Sequence, residues 1–172
     1  MVRDIMNSLG YVAMDYEEEM KKEVEYKEYT DKFFSSMCVP VGRERFICPE
    51  ALFQPSVVNM NNLKETEGIA HSISRAITTC DDHQDLFFGN IVLVGGNTLW
   101  AGHFQERLEK ELSELTSSKV EIIAPPDRQY LAWKGGSRLS TFEDFDHSNY
   151  FFSKQDYEEK GLSGAFQVRL GM

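Results

Sequence analysis

The chain has 172 residues, of which 41% are hydrophobic and 27% are charged, a composition typical of a globular protein. Its 28 acidic residues outnumber its 18 lysines and arginines and give a formal net charge of −10, which argues against direct binding to nucleic acid. Three cysteines without C-x-x-C spacing indicate neither a disulfide framework nor a zinc ribbon. No apolar run approaches the roughly 18 residues of a membrane span. We therefore expect an intracellular, reducing location, in the nucleus or the cytoplasm, and no membrane partner.

The first segment has the apolar spacing of a helix. Hydrophobic residues recur every three or four positions from Val2 to Ala13, which predicts an amphipathic helix that starts almost at the first residue. Because a domain rarely begins inside a helix, we expect the sequence to be a piece of a longer protein. Residues 16–28 are densely charged and are interpreted as a solvated helical extension or a linker, with a partner-binding patch as the alternative.

Short elements are predicted in the middle of the chain. Residues 41–48 predict a strand that stops at Pro49, which would open a one-turn helix. The polar residues 59–67 predict a surface loop. Apolar positions from Ile69 to Cys80 then predict a second amphipathic helix.

A β-α-β unit is predicted between residues 90 and 123. Residues 90–94 predict a buried strand, residues 104–115 a helix, and residues 120–123 a second strand joined by a right-handed crossover. Gly95 and Gly96 follow the first strand, where glycine lets a ligand approach the backbone. A tight strand-to-helix turn also requires glycine, so both explanations stay open. Residues 153–156 form a capping box that predicts a final short helix.

Residue spacing alone predicts no enzyme and no metal site. The sequence contains no G-x-x-x-x-G-K-[ST], no G-x-G-x-x-G and no G-x-S-x-G pattern. Its four histidines lie far apart, without a second ligand at helical or turn spacing, which does not favour metal binding. The carboxylates cluster in charged runs that are typical of solvated surface.

Several stretches, in order along the chain, resemble the actin family. The closest is Arg43-Glu-Arg-Phe-Ile-Cys-Pro-Glu-Ala-Leu-Phe-Gln-Pro-Ser56, which is similar to an actin segment almost residue for residue. The other matching stretches are residues 2–5 with 11–15, 90–98, 122–128 with 133–137, and 153–157. The resemblance runs nearly end to end but covers only the later, slightly smaller part of an actin-like protein.

The resemblance implies an α/β fold, the C-terminal part of the ribonuclease-H-like ATPase fold of actins, which is incomplete on its own. It implies a subdomain 4-like region over residues 1–62 and a subdomain 3-like β-α-β region over residues 63–129. Residues 130–172 would form a C-terminal segment that returns to subdomain 1. The missing N-terminal half is then an expected partner, since the predicted sheet lacks several strands.

The resemblance also implies a cofactor, ATP or ADP with Mg, held in a cleft shared with the missing half. The cofactor-binding residues that carry over are Arg3, Gly95, Gly96, Asn97, Leu99 and Trp100. Trp100 is interpreted either as a wall for the adenine or as ordinary core. Met6, Asn7 and Gln129 stand where actins have charged contacts to the base and ribose, which predicts weaker nucleotide affinity. The phosphate loops belong to the missing half, so no catalytic residue is assigned and this chain alone is not expected to hydrolyse ATP.

Three departures from actin favour the nuclear actin-related proteins. Asn97 stands where filament-forming actins have Thr or Ser, and Lys134 and Arg138 stand where the actin groove for partner helices has Ile. The resemblance therefore implies a structural subunit of a multi-protein assembly, such as a chromatin remodeller, whose acidic surface docks a basic helix. The alternative is a divergent filament-forming ATPase of the cytoskeleton, and in either case the full-length protein would be at most a slow ATPase. A sugar-kinase or chaperone-ATPase relative is disfavoured because the matching strings are those of actin.

Overall fold

The computed structural model describes residues 2–30, 38–58, 67–80, 82–142, 153–155, 157–159 and 161. The helices defined in these ranges are α1 (Val2–Leu9), α2 (Tyr16–Lys21), α3 (Glu44–Glu50), α4 (Ile69–Thr78), α5 (Gln84–Phe88), α6 (Phe104–Leu115) and α7 (Leu131–Leu139). The strands are β1 (Tyr11–Val12), β2 (Lys27–Thr30), β3 (Cys38–Val41), β4 (Ile91–Val92), β5 (Ala101–Gly102) and β6 (Ile122–Ile123). The chain divides into two compact units, Met1–Leu131 and Ala132–Met172. No described helix is long and apolar enough to cross a bilayer.

The strands of the described ranges pair in three two-stranded sheets, two parallel and one antiparallel. Strand β4 runs parallel to β6, with Ile91 opposite Ile122, and α6 lies between them in the chain. The predicted β-α-β unit is therefore confirmed, while the hand of its crossover stays a prediction. Strand β1 is parallel to β5, with Tyr11 opposite Ala101. Strands β2 and β3 form the antiparallel pair.

Helix α6 supplies the centre of the core in the first unit. Phe104, Leu108 and Leu112 recur at four-residue spacing, so they share one face, and all three are buried. Helix α4 packs against α6 through its own apolar stripe, as its sequence pattern predicts. The buried cluster consists of Val12, Phe53, Ala70, Phe88, Leu93, Phe104, Leu108, Leu112, Val120 and Ile122. One core therefore joins the β-α-β unit to β1 and to the turn that follows α3.

The first helix is shorter than its apolar spacing predicts. It ends at Leu9, where the Gly10 N–H donates a last hydrogen bond to the Met6 carbonyl at 2.9 Å. Val12 lies in β1 and Ala13 follows it, so the prediction of one helix through these residues is wrong. The reason is tertiary, because β1 pairs with β5, a strand far along the chain that no local window contains.

The first part of the charged run after β1 is a solvated helix. The Asp15 side chain caps α2 by accepting a hydrogen bond from the Glu18 N–H at 3.0 Å, and α2 contains no buried residue. The prediction of a solvated helical extension is thus confirmed for residues 16–21. The end of the run, from Lys27 on, is ordered as β2 by its pairing with β3, so the linker interpretation is wrong there.

The segment around Pro49 is helical, so the prediction of a strand over residues 41–48 is wrong except at Val41, which ends β3. The prediction that Pro49 opens a one-turn helix is also wrong. Helix α3 begins at Glu44 and holds Pro49 in its last turn. Phe46 and Glu50, four residues apart, are both buried, so burial selects a helical face. A proline near the end of a helix removes only one hydrogen bond, which the packing of this face offsets.

Three further predictions have partial outcomes. Leu93 is buried, but Val92 and Val94 are 52% and 45% exposed, so the segment predicted as a buried strand over residues 90–94 alternates between core and surface. The loop predicted over residues 59–67 and the region boundary at residue 62 fall almost entirely outside the described residues. Near the C-terminus, residues 154–155 and 157–159 are helical, and the Tyr157 N–H donates to the Ser153 carbonyl at 3.1 Å.

Candidate functional site

A cleft of about 510 Å³ opens in the first unit beside α1 and the turn that follows β4. This volume is within the range of roughly 300–1,000 Å³ that is typical of small-molecule sites. The residues that line it are Arg3, Asn7, Gly96, Asn97, Leu99, Trp100 and Gln129. They come from α1, from the 3-10 turn Gly96–Leu99 with Trp100 after it, and from the 3-10 turn Arg128–Tyr130.

The cleft gathers most of the residues predicted to bind the cofactor. All of them except Gly95 line it, although Arg3 is distant from the others in sequence. Asn7 and Gln129, which were singled out as departures from actin, line the same cleft, whereas Met6 does not. The structure thus brings these residues to one place, and their binding of a cofactor stays a prediction.

The two glycines after β4 have different roles. Gly95 has φ 95° and ψ 157°, a conformation that side chains other than hydrogen rarely allow. Its N–H donates to the Arg128 carbonyl at 3.0 Å, and its carbonyl accepts from the Thr98 N–H and hydroxyl. Gly96 lines the cleft, and a Cβ built there meets no atom within 4 Å. The turn therefore requires Gly95, and the open approach to the backbone is at Gly96.

We predict that Gly95→Ala lowers the free energy of unfolding by about 1–3 kcal/mol, because alanine is strained at this positive φ. Gly96→Ala is the matched control. Because it meets open space, we expect a change within about 0.5 kcal/mol. Urea unfolding followed by circular dichroism measures both values. Equal losses in the two variants would contradict the assignment of the turn to Gly95 alone.

Arg128 holds the turn that forms one wall of the cleft. Its Nη2 donates to the Thr98 carbonyl at 2.6 Å, and its Nε donates to the Thr98 hydroxyl at 2.9 Å. Its Nη1 donates to the Pro125 carbonyl at 3.1 Å. One half-buried guanidinium thus ties the turn after β4 to the segment after β6, next to Gln129. The sequence signal was an arginine two residues after a proline pair at the end of a strand, and no role was predicted for it.

Trp100 packs against the end of α1 and also lines the cleft. A Cβ at Gly10 would lie 2.8 Å from the Trp100 ring and 2.5 Å from the Met6 carbonyl, so only glycine permits this approach. The indole N–H is buried and has no hydrogen-bond partner among the described residues. Trp100 is partly buried against the core cluster and also lines the cleft, and its interpretation as a wall for the adenine stays a prediction.

A buried ion pair anchors the strand that follows α1. Arg107 on α6 donates to the Ala13 carbonyl at 3.0 Å and to Glu50 Oε1 at 3.1 Å. It also pairs with Glu111 one turn along the same helix. Glu50 is fully buried, and this burial raises its pKa to about 7 against the opposing charge of Arg107. The sequence patterns missed this pair because Arg107 lies in a charged helix and Glu50 lies 57 residues away from it in the chain.

The comparison with protein families agrees with this architecture. The family model for actin matches residues 1–169, almost the whole chain. The described helices and strands, with their parallel β4–α6–β6 unit, fit the α/β character of the actin-like fold. The match includes the segment at α3 and every residue of the cleft. This chain therefore belongs to the actin family.

Proposed function

We propose that this chain is part of a nucleotide-binding structural subunit of a multi-protein assembly, of the chromatin-remodelling type, and has no ATPase activity by itself. The observation that carries the proposal is the cleft, which collects Arg3, Asn97 and Trp100 beside an open glycine backbone. Members of the actin family generally bind ATP or ADP with Mg.

The residues of the cleft fit the nucleoside part of such a cofactor. Trp100 offers an aromatic wall, and Gly96 allows a planar group to approach the backbone. Asn7, Asn97 and Gln129 offer neutral hydrogen-bonding groups to a base or a ribose. A bound nucleotide would supply the phosphates, which are the groups that an ATPase hydrolyses, together with their Mg ion. In the actin family the loops for those groups come from the part of the fold that precedes the residues matched here.

Helix α7 supports the assignment to a structural subunit. It has no buried residue, and Lys134 and Arg138 lie four residues apart on it, on one face. Two cations on one face disfavour an apolar partner helix of the kind that binds to filament-forming actins. Elsewhere on the surface, the net charge of −10 favours a basic partner segment.

The test is a tagged pull-down of the full-length native protein, with mass spectrometry of the proteins that accompany it. We expect remodeller ATPase subunits or other nuclear actin-related proteins. Capture of cytoskeletal proteins, or of the protein itself in excess, would contradict the proposal. A double variant, Lys134→Ile with Arg138→Ile, tests the role of α7, since we expect it to gain partners with apolar helices.

The second candidate is a divergent filament-forming ATPase. It is favoured by the segment at α3 and the turns after it, which are similar to actin almost residue for residue. Pelleting of the full-length protein with ATP and Mg, across salt and protein concentrations, decides between the two. We expect no polymer, and a sedimenting fraction that grows above a critical concentration would favour the filament.

A further inference from the structure

Three side-chain amides at the cleft have unused hydrogen-bonding groups. Asn7, Asn97 and Gln129 are exposed, and none of their side-chain amides forms a hydrogen bond within the described part of the chain. Other amides of the same unit are used internally. The side chains of Gln84, Asn90 and Gln105 donate to the backbone carbonyls of Cys80, Leu86 and Ile122, respectively. Elsewhere in this unit the side-chain amides thus bind the protein's own backbone, whereas the three amides at the cleft stay available to a ligand.

The three amides converge from separate elements. Asn7 comes from α1, Asn97 from the turn after β4, and Gln129 from the turn after β6. Arg3 is the one charged side chain among the described residues that line the cleft. The cleft therefore presents an aromatic wall and several neutral groups that can each donate and accept a hydrogen bond.

An amide does not fix the direction of a hydrogen bond. Lysine only donates and a carboxylate only accepts, so either of them selects one pattern on the edge of a base. An exposed amide can turn about its terminal torsion, which has a broad and roughly two-fold profile, and can present either its N–H or its carbonyl. A 6-amino purine has a hydrogen-bond donor at position 6 and an acceptor at N1. A 6-oxo purine has an acceptor at position 6 and a donor at N1.

Building on the proposed nucleotide function, we propose that this cleft recognises a purine base through neutral amides and accepts 6-amino and 6-oxo purines about equally. The Arg128 guanidinium holds the turn after β4 through Thr98, and the Asn97 amide in that turn is left without a hydrogen bond to the described protein. The aromatic surface of Trp100 contacts any purine ring, since every base has a π-face. Uncharged contacts also make the base preference insensitive to salt.

The test compares ATP with ITP, which differ in the base and share the triphosphate. Dissociation constants are measured with the full-length native protein and Mg by isothermal titration calorimetry. We expect the two values to agree within about fivefold, a difference of about 1 kcal/mol, and their ratio to stay constant as salt is raised. A larger preference for either nucleotide overturns this inference and leaves the proposed function standing. Binding of neither nucleotide overturns the proposed function itself.

Two variants test whether the amides set this tolerance. Gln129→Lys replaces an amide by a donor, and Asn7→Asp replaces one by an acceptor, so we expect at least one of them to move the ratio beyond about fivefold. The matched control is Gln84→Lys, which adds the same charge at an amide outside the cleft and keeps a donor for the Cys80 carbonyl. A ratio that stays near one in both cleft variants would show that these amides do not read the base, and would overturn the inference.

Discussion

Replacing Arg107 by alanine is expected to lower the free energy of unfolding by about 3–5 kcal/mol, because it leaves the fully buried carboxyl of Glu50 without its cation. The substitution also removes the donors for the Ala13 and Met14 carbonyls, which tie β1 to α6. Urea unfolding followed by circular dichroism measures the loss, and α1 with its wall of the cleft is expected to lose order with β1.

The matched control is Arg75→Ala on α4. Arg75 pairs with Glu67 at 2.9 Å, but their side chains are 67% and 45% exposed, so water screens the pair. Such a surface ion pair contributes about 0–1 kcal/mol. Similar losses in Arg107→Ala and Arg75→Ala would contradict the assigned role of the buried pair. Replacing Arg107 and Glu50 together by methionine is expected to restore much of the stability, since no unpaired charge then remains buried.

Arg128→Ala is expected to release the turn after β4, with a loss of about 2–3 kcal/mol in unfolding free energy, since its guanidinium hydrogen bonds are charge-assisted. Nucleotide affinity is expected to fall about tenfold or more, because Asn97, Trp100 and Gln129 lose their common support. Titration calorimetry with ATP, at a temperature where the variant is folded, measures this second effect.

Arg128→Lys separates the role of charge from that of geometry. Lysine keeps the positive charge but lacks the planar fork that reaches Thr98 and Pro125 together, so we expect it to behave more like alanine than like arginine. Arg43→Ala is the control, since Arg43 is a half-buried arginine that does not line the cleft. Full affinity in Arg128→Ala would show that the turn holds its position without the guanidinium.

The predictable part of the fold is the part with strong local periodicity. The stripes of α4 and α6 and the apolar strands around α6 were enough to predict the parallel β4–α6–β6 unit. The failures were at α1 and α3, where partners distant in sequence decide the structure. Val12 lies in a strand because β5 pairs with it. The residues before Pro49 are helical where Phe46, buried on α3, contacts the rings of Tyr11 and Tyr16.

Most of the site residues were predicted from the family resemblance. Residue spacing alone indicated only Gly95 and Gly96, which either let a ligand approach the backbone or are required by a tight turn. The structure separates those explanations, with Gly95 required by the turn and Gly96 open to the cleft. Arg128 could not be identified from its neighbours, because its partner Thr98 lies 30 residues earlier. The shared surroundings of Asn7 and Gln129 likewise arise only once α1 lies beside the turn.

The pairing of β1 with β5 sets an order of events during synthesis. The contact between Arg107 and Ala13 joins residues 94 positions apart, and α1 directly precedes β1. Val12 and Ala13 therefore lack their partners on β5 and α6 until those elements have been synthesised. Such distant closures slow folding, because the chain loses loop entropy before the contacts form.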